Sequence, residues 1–353
     1  MGGKWDPISL PVRPGLYINF VEAAAAQIKG GARGTVALPL FKYAAPATAG
    51  KFYTVEKESE AVALFGIDNI QPIRFILDGG AKEVLVYTVP APAVEGDKAL
   101  EAVYIAMREA FEARSFNVFV YPDVVSAAEQ DATKAWCKRN REEGKHFLSV
   151  FGGAAADDAD PEKGNARTVK LADDYAVNLI SGVNINGKEY ASAAFAPYIA
   201  GLIAGTGINK SITYAPIGAS DVTKRLRHGE IQKALQTGSL VLVHDGEKVK
   251  VEQGLVASKL KIRAIRARQA VSTDIAKTAA DSYIGKLDNN ADGQAALISA
   301  VKAYLERLEL NNVLTDIAVG LDPDRASVGD SVFLLISYRE IDSMERIFLT
   351  VRV

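Results

Sequence analysis

The sequence predicts a multidomain protein that joins an α/β region to an α+β region. Between residues 90 and 255, strand-like and helix-like segments alternate, which implies a mostly parallel sheet covered by helices. Residues 31–90 read instead as short β-rich runs parted by Gly, Pro and Asp, and residues 256–353 as helices followed by strands. At 353 residues the chain exceeds what one hydrophobic core holds. The expected divisions are an extended arm over 1–30, a small β-rich N-terminal domain over 31–90, an α/β core over 91–255 and an α+β C-terminal domain over 256–353.

In the arm, Pro7, Pro11 and Pro14 prevent a helix and favour extended chain, while Ala-rich Glu22–Gln27 suits one helical turn. In the β-rich region, Val36–Leu40, Phe52–Val55, Ile73–Leu77 and Glu83–Thr88 are expected as strands and Ser59–Phe65 as a short helix. Asp97 is expected to cap a helix whose apolar face is Leu100, Val103, Tyr104, Met107 and Phe111. Phe116–Tyr121 follows as a strand. Ser126 with Glu129 forms a capping box for a helix ending near Gly144. His146–Phe151, Tyr175–Val183 and Ser211–Pro216 are further strands, Asn186-Gly187 is a turn signal, and Ser192–Ala204 reads as a buried helix of small residues. Leu240–His244 and Glu247–Val251 make a hairpin around Asp245-Gly246. In the last region one helix is expected from Ser272. Another starts near Gly293, with Leu297, Ile298, Val301, Tyr304, Leu305 and Leu308 on one face.

Both ends carry strand-like runs with little local to pair with. One is Leu16, Tyr17, Ile18, Asn19 and Phe20. At the other end, the apolar strand Val332–Ser337 meets a charged bend and then a second strand, Arg346–Val353. Unpaired N–H and C=O groups on such strands template pairing with another chain, which points to assembly rather than catalysis.

Composition removes several alternatives. A net charge of −2 implies no global attraction to nucleic acid or anionic lipid. The single Cys137 rules out an internal disulfide and suits a reducing compartment. The weakly charged stretch Ala191–Gly207 is too short to span a bilayer, and the start lacks the pattern of a signal peptide. The expectation is a protein made in a cytoplasm and soluble there, with no membrane insertion.

The search for chemistry is negative. His146, His228 and His244 stand at no metal-ligand spacing from one another or from Cys137. Gly205-Thr206-Gly207-Ile208-Asn209-Lys210-Ser211 ends like a phosphate loop, but Asn209 replaces the Gly before the Lys, and the segment runs from helix to strand, the wrong order. Asp288, Asn290, Asp292 and Gly293 imitate the first half of an EF-hand loop, yet its twelfth position is Ser299; a polar turn with Asp292 capping the next helix is the better reading. No G-x-S-x-G elbow occurs, and Cys137 beside Trp136 reads as packed. No catalytic residue, metal or cofactor is expected. A basic stretch, Lys248 to Arg268, lacks aromatic interleaving, so an acidic protein partner suits it better than nucleic acid.

Four stretches together resemble one family, the tail sheath proteins of contractile bacteriophages and related contractile injection devices. They are Arg13–Ile18 with Arg33–Leu40, Ala196–Thr206 with Asn209–Tyr214, Ile284–Lys286 with Asn289–Gly293, and Asp330–Val353. The resemblance spans nearly the whole chain, and the order and spacing of these weak motifs carry it. It implies a subtilisin-like α/β core without catalytic residues, and a C-terminal domain whose sheet is completed by arms from neighbouring subunits. Leu16–Phe20 and the run Arg346, Ile347, Phe348, Leu349, Thr350 and Val351 would be the donated strands; Val332, Phe333, Leu334, Leu335 and Ile336 would receive them. Six-fold rings would stack around an inner tail tube protein, with baseplate and tail terminator proteins as further partners, in a virion tail or phage-tail-like particle. Gly2, Gly3, Gly30, Gly31 and the polar segment Arg339–Glu345 would act as hinges, and Arg263, Arg266, Arg268 and Lys277 would face acidic groups of the tube. The alternative is an α/β hydrolase whose terminal strands serve an ordinary homo-oligomer.

Overall fold

The computed structural model describes residues 27–28, 33–92 and 96–352. Its first elements are β1 (Thr35–Leu40), β2 (Phe52–Val55), α1 (Glu58–Phe65), α2 (Gln71–Asp78) and β3 (Glu83–Thr88). Then come α3 (Asp97–Glu112), β4 (Val118–Val120), α4 (Ala127–Glu142), β5 (Leu148–Phe151), α5 (Ala155–Asp158), α6 (Pro161–Lys170) and β6 (Ala176–Asn178). The hairpin β7 (Val183–Ile185) and β8 (Lys188–Tyr190) leads into α7 (Ser192–Gly205). Its turn is Asn186-Gly187, both at positive φ, as the Asn-Gly signal requires. After β9 (Pro216–Ile217), β10 (Asp221–Val222) and α8 (His228–Thr237), the expected hairpin is present as β11 (Leu242–His244) and β12 (Val249–Val251). The chain then forms α9 (Ile262–Ser282), α10 (Ala291–Leu310), β13 (Leu314–Leu321) and β14 (Leu334–Glu340).

The main sheet has six strands in the order β2-β3-β1-β4-β5-β6, all parallel except the edge strand β2. Residues 35–88 therefore do not form the separate β-rich unit expected over 31–90. Val36 and Ala37 of β1 pair with Val118 and Phe119 of β4, so both regions share one sheet. Every residue of β1 is buried, which demands cover on both faces and fits a central strand. Alternation along β4 divides the core: Val118 and Val120 face the layer of α2 and α7, while Phe119 joins Phe111, Phe116, Trp136 and Phe147 under α3 and α4.

Three further elements depart from expectation. Ile73–Leu77 is helical, within α2, although β-branched residues suggest a strand. Pro72 sits in the first turn, and Ile73 and Ile76, three residues apart, share a buried face. The expected strand over Ser211–Pro216 is mostly loop, with only Pro216 in β9. Helix α9 begins at Ile262, well before Ser272, because Arg263 and Arg266 are buried helix residues rather than a solvated charge run.

Helix α7 is the buried small-residue helix expected from the sequence. It packs on β1, β4 and β5 and crosses α2 so closely that a Cβ on Gly201 would overlap the Ile76 carbonyl, and one on Gly79 would meet the Tyr198 carbonyl. Backbone sets these distances, and neither side can yield by a rotamer change. The variant Gly201→Ala is expected to lose about 1–3 kcal/mol of stability through overpacking. Urea unfolding monitored by circular dichroism measures it, and an unchanged midpoint would refute the tight crossing.

Candidate functional site

The C-terminal region is built on a two-stranded antiparallel sheet, β13 with β14, whose first strand packs on α10, with Ala267 and Val271 of α9 in the same apolar cluster. Val301, Tyr304, Leu305 and Leu308 of α10 are buried beneath it. The inward residues of the strands, Ile317, Val319, Leu334, Ile336 and Tyr338, are only half-buried. Among the described residues the two strands leave two open edges, and a pair is marginal without further neighbours. β13 carries a bulge between Thr315 and Ala318, with Asp316 at positive φ and bonded to Arg339 at 2.6 Å. This bulge breaks the alternation of the run and hid β13 from sequence reading.

Of the expected receiving strand, Leu334, Leu335 and Ile336 lie in β14, and Leu335 points outward. Val332 and Phe333 precede it. The expected strand Leu16–Phe20, the glycines at 2, 3, 30 and 31, and Val353 lie outside the described residues. From Ile341 to Arg352 the chain has no regular secondary structure. Its apolar side chains are bare: Ile347 is 71% exposed, Phe348 91%, Leu349 84% and Val351 80%. Burying such residues contributes about 1.5–3 kcal/mol each, so a run of four left in water is unusual in a folded domain. The expected hinge Arg339–Glu345 is corrected in part: Arg339 and Glu340 belong to β14, and Glu345 is fixed by several partners.

The basic residues proposed to face a tube are mostly engaged inside the chain. Arg263, 8% exposed, donates to the Asn312 carbonyl at 2.7 Å, just past the C-terminus of α10, and to Ser343 Oγ at 2.8 Å. Arg266, 7% exposed, donates to the Thr206 carbonyl at 2.5 Å and the Gly207 carbonyl at 3.4 Å, at the C-terminus of α7. Burial lowers the pKa of Arg263 and brings that of Arg266 down to about 10. Arg268 pairs with Glu340 of β14 at 2.6 Å, and that bond raises its pKa. Lys277 alone of the four is exposed and without such a role. Arg263 and Arg266 are thus withdrawn from the tube contact, since reaching outward would strip helix-end carbonyls of their donors.

The same contacts explain the other motifs. The phosphate-loop-like segment from Gly205 is the C-terminal end of α7, where carbonyls and the helix dipole attract a cation, the reverse of an anion site. In the EF-hand-like turn Asn290, rather than Asp292, caps α10, accepting from the Gly293 N–H at 2.9 Å. Among the described residues no group of His, Cys, Asp and Glu is arranged to hold a metal, and no helix is long and apolar enough to cross a membrane. His146 bonds the Tyr175 hydroxyl at 3.0 Å, and His244 accepts from the Gly246 N–H at 3.0 Å. Cys137 is buried against Ser149 Oγ, and burial pushes its thiol up to about 12.

Comparison with known proteins decides the family. The model for the phage tail sheath protein central domain matches residues 97–255, and that for the phage tail sheath C-terminal domain matches residues 257–353. This chain belongs to the phage tail sheath protein family. A tail sheath protein of Clostridium phage phiCD119 is 22% identical over 371 residues, covering 96% of this chain and 98% of the relative. The sheath tail protein of Desulfitobacterium hafniense shares the fold with a TM-score of 0.75 at 20% identity, over 96% of this chain and 100% of its own. The helical sheath of the anti-feeding prophage in its contracted state does so with a TM-score of 0.73 at 15% identity, over 97% and 99%.

Two outcomes follow for this sheath family member. Arg266→Ala is expected to cost about 2–3 kcal/mol of stability, as loss of charge-assisted bonds to buried carbonyls does. A melting temperature equal to that of the parent would refute the capping role. Iodoacetamide should leave Cys137 unmodified in the folded protein at pH 8 and alkylate it fully in urea, read by intact mass.

Proposed function

We propose that this protein is the structural subunit of a contractile tail sheath, in a phage or a phage-tail-like device, and that it has no catalytic role. The observation that carries the reading is the combination of a two-stranded sheet and an exposed apolar tail that, among the described residues, pairs with no strand. In an extended strand Ile347, Leu349 and Val351 share one face, matching the inward alternation of Leu334, Ile336 and Tyr338 on β14. The proposal is that 346–352 and the Leu16–Phe20 run are donated to the C-terminal sheets of neighbouring subunits. Six-fold rings built this way would stack around an inner tube and shorten to drive it forward. The tail sheath protein of the Clostridium phage and the anti-feeding prophage sheath support this reading.

The energetics make assembly cooperative in this scheme. Burying Ile347, Phe348, Leu349 and Val351 contributes about 6–12 kcal/mol. Ordering 346–352 costs about 7–14 kcal/mol. One arm is therefore close to balance, and the lattice needs two arms per subunit, repeated, or a nucleating baseplate. Of the four basic residues considered for the tube, only Lys277 and the outer part of Arg268 are free to approach acidic groups. The hydrolase alternative gains no support from the geometry: the buried Ser192 hydroxyl bonds Asp158 at 2.6 Å and accepts from the Gly153 N–H at 2.7 Å, as a tether for the start of α7.

Negative-stain electron microscopy at high protein concentration tests the proposal, comparing the full chain with chains lacking residues 1–20 or 346–353. Hollow striated tubes that disappear with either truncation are expected. Tubes that persist in both truncated chains would refute strand donation, and a monodisperse particle in all three, with or without an added tube, would refute the sheath reading.

A further inference from the structure

Around Glu345 the usual order of burial is inverted. Its carboxylate is 9% exposed, whereas Met344 before it is 91% exposed and Ile347 beyond it 71%. A chain folding for its own stability buries Met and Ile and leaves Glu in water. Here the acid is taken inward and held by donors from three places. Oε1 accepts from Thr213 Oγ1 at 2.7 Å and Ser211 Oγ at 3.2 Å; Oε2 accepts from Gln253 Nε2 at 2.7 Å and from the Lys261 ammonium. Ser211, Thr213 and Gln253 belong to the region of the central domain, and Lys261 is the residue that opens α9. An ionised carboxylate only accepts, and four donors with one cation among them satisfy its buried charge.

We infer that Glu345 is the anchor of the C-terminal arm, a positioning residue that pins the arm's root to the central domain, so that any swing of the arm begins at Arg346. The inference rests on the strand-donation reading given above. Two neighbouring contacts support it: Ser343 receives the Arg263 guanidinium at 2.8 Å, and the Ile341 N–H donates to the Val313 carbonyl at 3.0 Å. After Glu345 no comparable tie holds the described residues, and the apolar side chains stand free. The anchor also fixes reach. Extended, 346–352 spans about 23 Å, and release of 341–345 would lengthen it by about 16 Å. A neighbour's sheet edge must then lie within the shorter radius of Glu345, and the arm's root is held to the central domain as well as to its own C-terminal domain.

Hydrogen exchange of the full-length protein, read by mass spectrometry, tests the anchor separately from assembly. In the parent chain the amides of 341–346 should exchange at least about tenfold more slowly than those of 347–352. Glu345→Ala should abolish that difference while β13 and β14 stay protected. Glu345→Gln, which keeps an acceptor for Ser211 and Thr213 but loses the Lys261 pairing, should fall between, and it keeps the test open should the alanine variant misfold. Equal exchange in the parent and Glu345→Gln would overturn the anchor. In electron micrographs the same variants should give tubes of irregular diameter; uniform tubes from a variant that has lost local protection would overturn the claim that the anchor sets the pivot. Loss of strand donation reads out differently, as tubes unaffected by removal of 346–353.

Discussion

A helix that ends inside a protein leaves carbonyl groups that must find donors, and this architecture is organised around that requirement. Helix α7 runs beneath the main sheet and ends at Gly205, where Arg266 of α9 supplies the donors. Arg263, one turn earlier on the same helix, serves the end of α10. Lys145 donates to the Phe111 and Glu112 carbonyls at the end of α3, and burial lowers its pKa to about 8. Lys134 reaches the Lys170 carbonyl at the end of α6. These cations oppose the negative ends of helix dipoles while replacing water as donors. Of these contacts, the one made by Arg266 passes between the central domain and α9, so capping also ties the two matched domains together.

This explains what sequence reading could and could not recover. The elements with one strong local signal were legible: the Asn186-Gly187 hairpin, the 240–251 hairpin, the small-residue helix α7, and the helix α4 that Ser126 opens. In each, a turn residue, a cap or a composition acts within a few positions. Helix α2 was misread because its β-branched residues are decided by a partner helix distant in sequence. The unity of the sheet was missed because a buried parallel strand says nothing of which strand lies beside it. The basic run at α9 was read as a surface, since a charge that caps a remote helix end is indistinguishable in sequence from one in solvent.

The candidate site was legible in its outline and illegible in its fastening. An apolar run at the end of the sequence signals a strand looking for an edge, and the side chains from Ile347 to Val351 are bare in the single chain. Glu345 gave no such signal. An acidic residue in a charged bend reads as a solvated hinge, and only the convergence of Ser211, Thr213, Gln253 and Lys261, none of them near it in sequence, turns it into a buried contact.

The consequence for assembly concerns which forces remain at the surface. Arg263 and Arg266 are committed inside and Arg268 is paired, so the joint proposed at the C-terminal sheet rests on backbone edges and apolar side chains rather than on these charges. Pairing of that kind depends little on ionic strength, whereas surface ion pairs are screened within about 10 Å at 0.1 M salt. It also specifies register through alternating faces rather than through charge, so identical joints can repeat many times without like-charge repulsion accumulating. In the proposed lattice, joints of this type would persist while subunits reorient about them, provided each arm turns about a fixed root. The buried carboxylate of Glu345, placed where the ordered chain gives way to the free strand, meets that requirement.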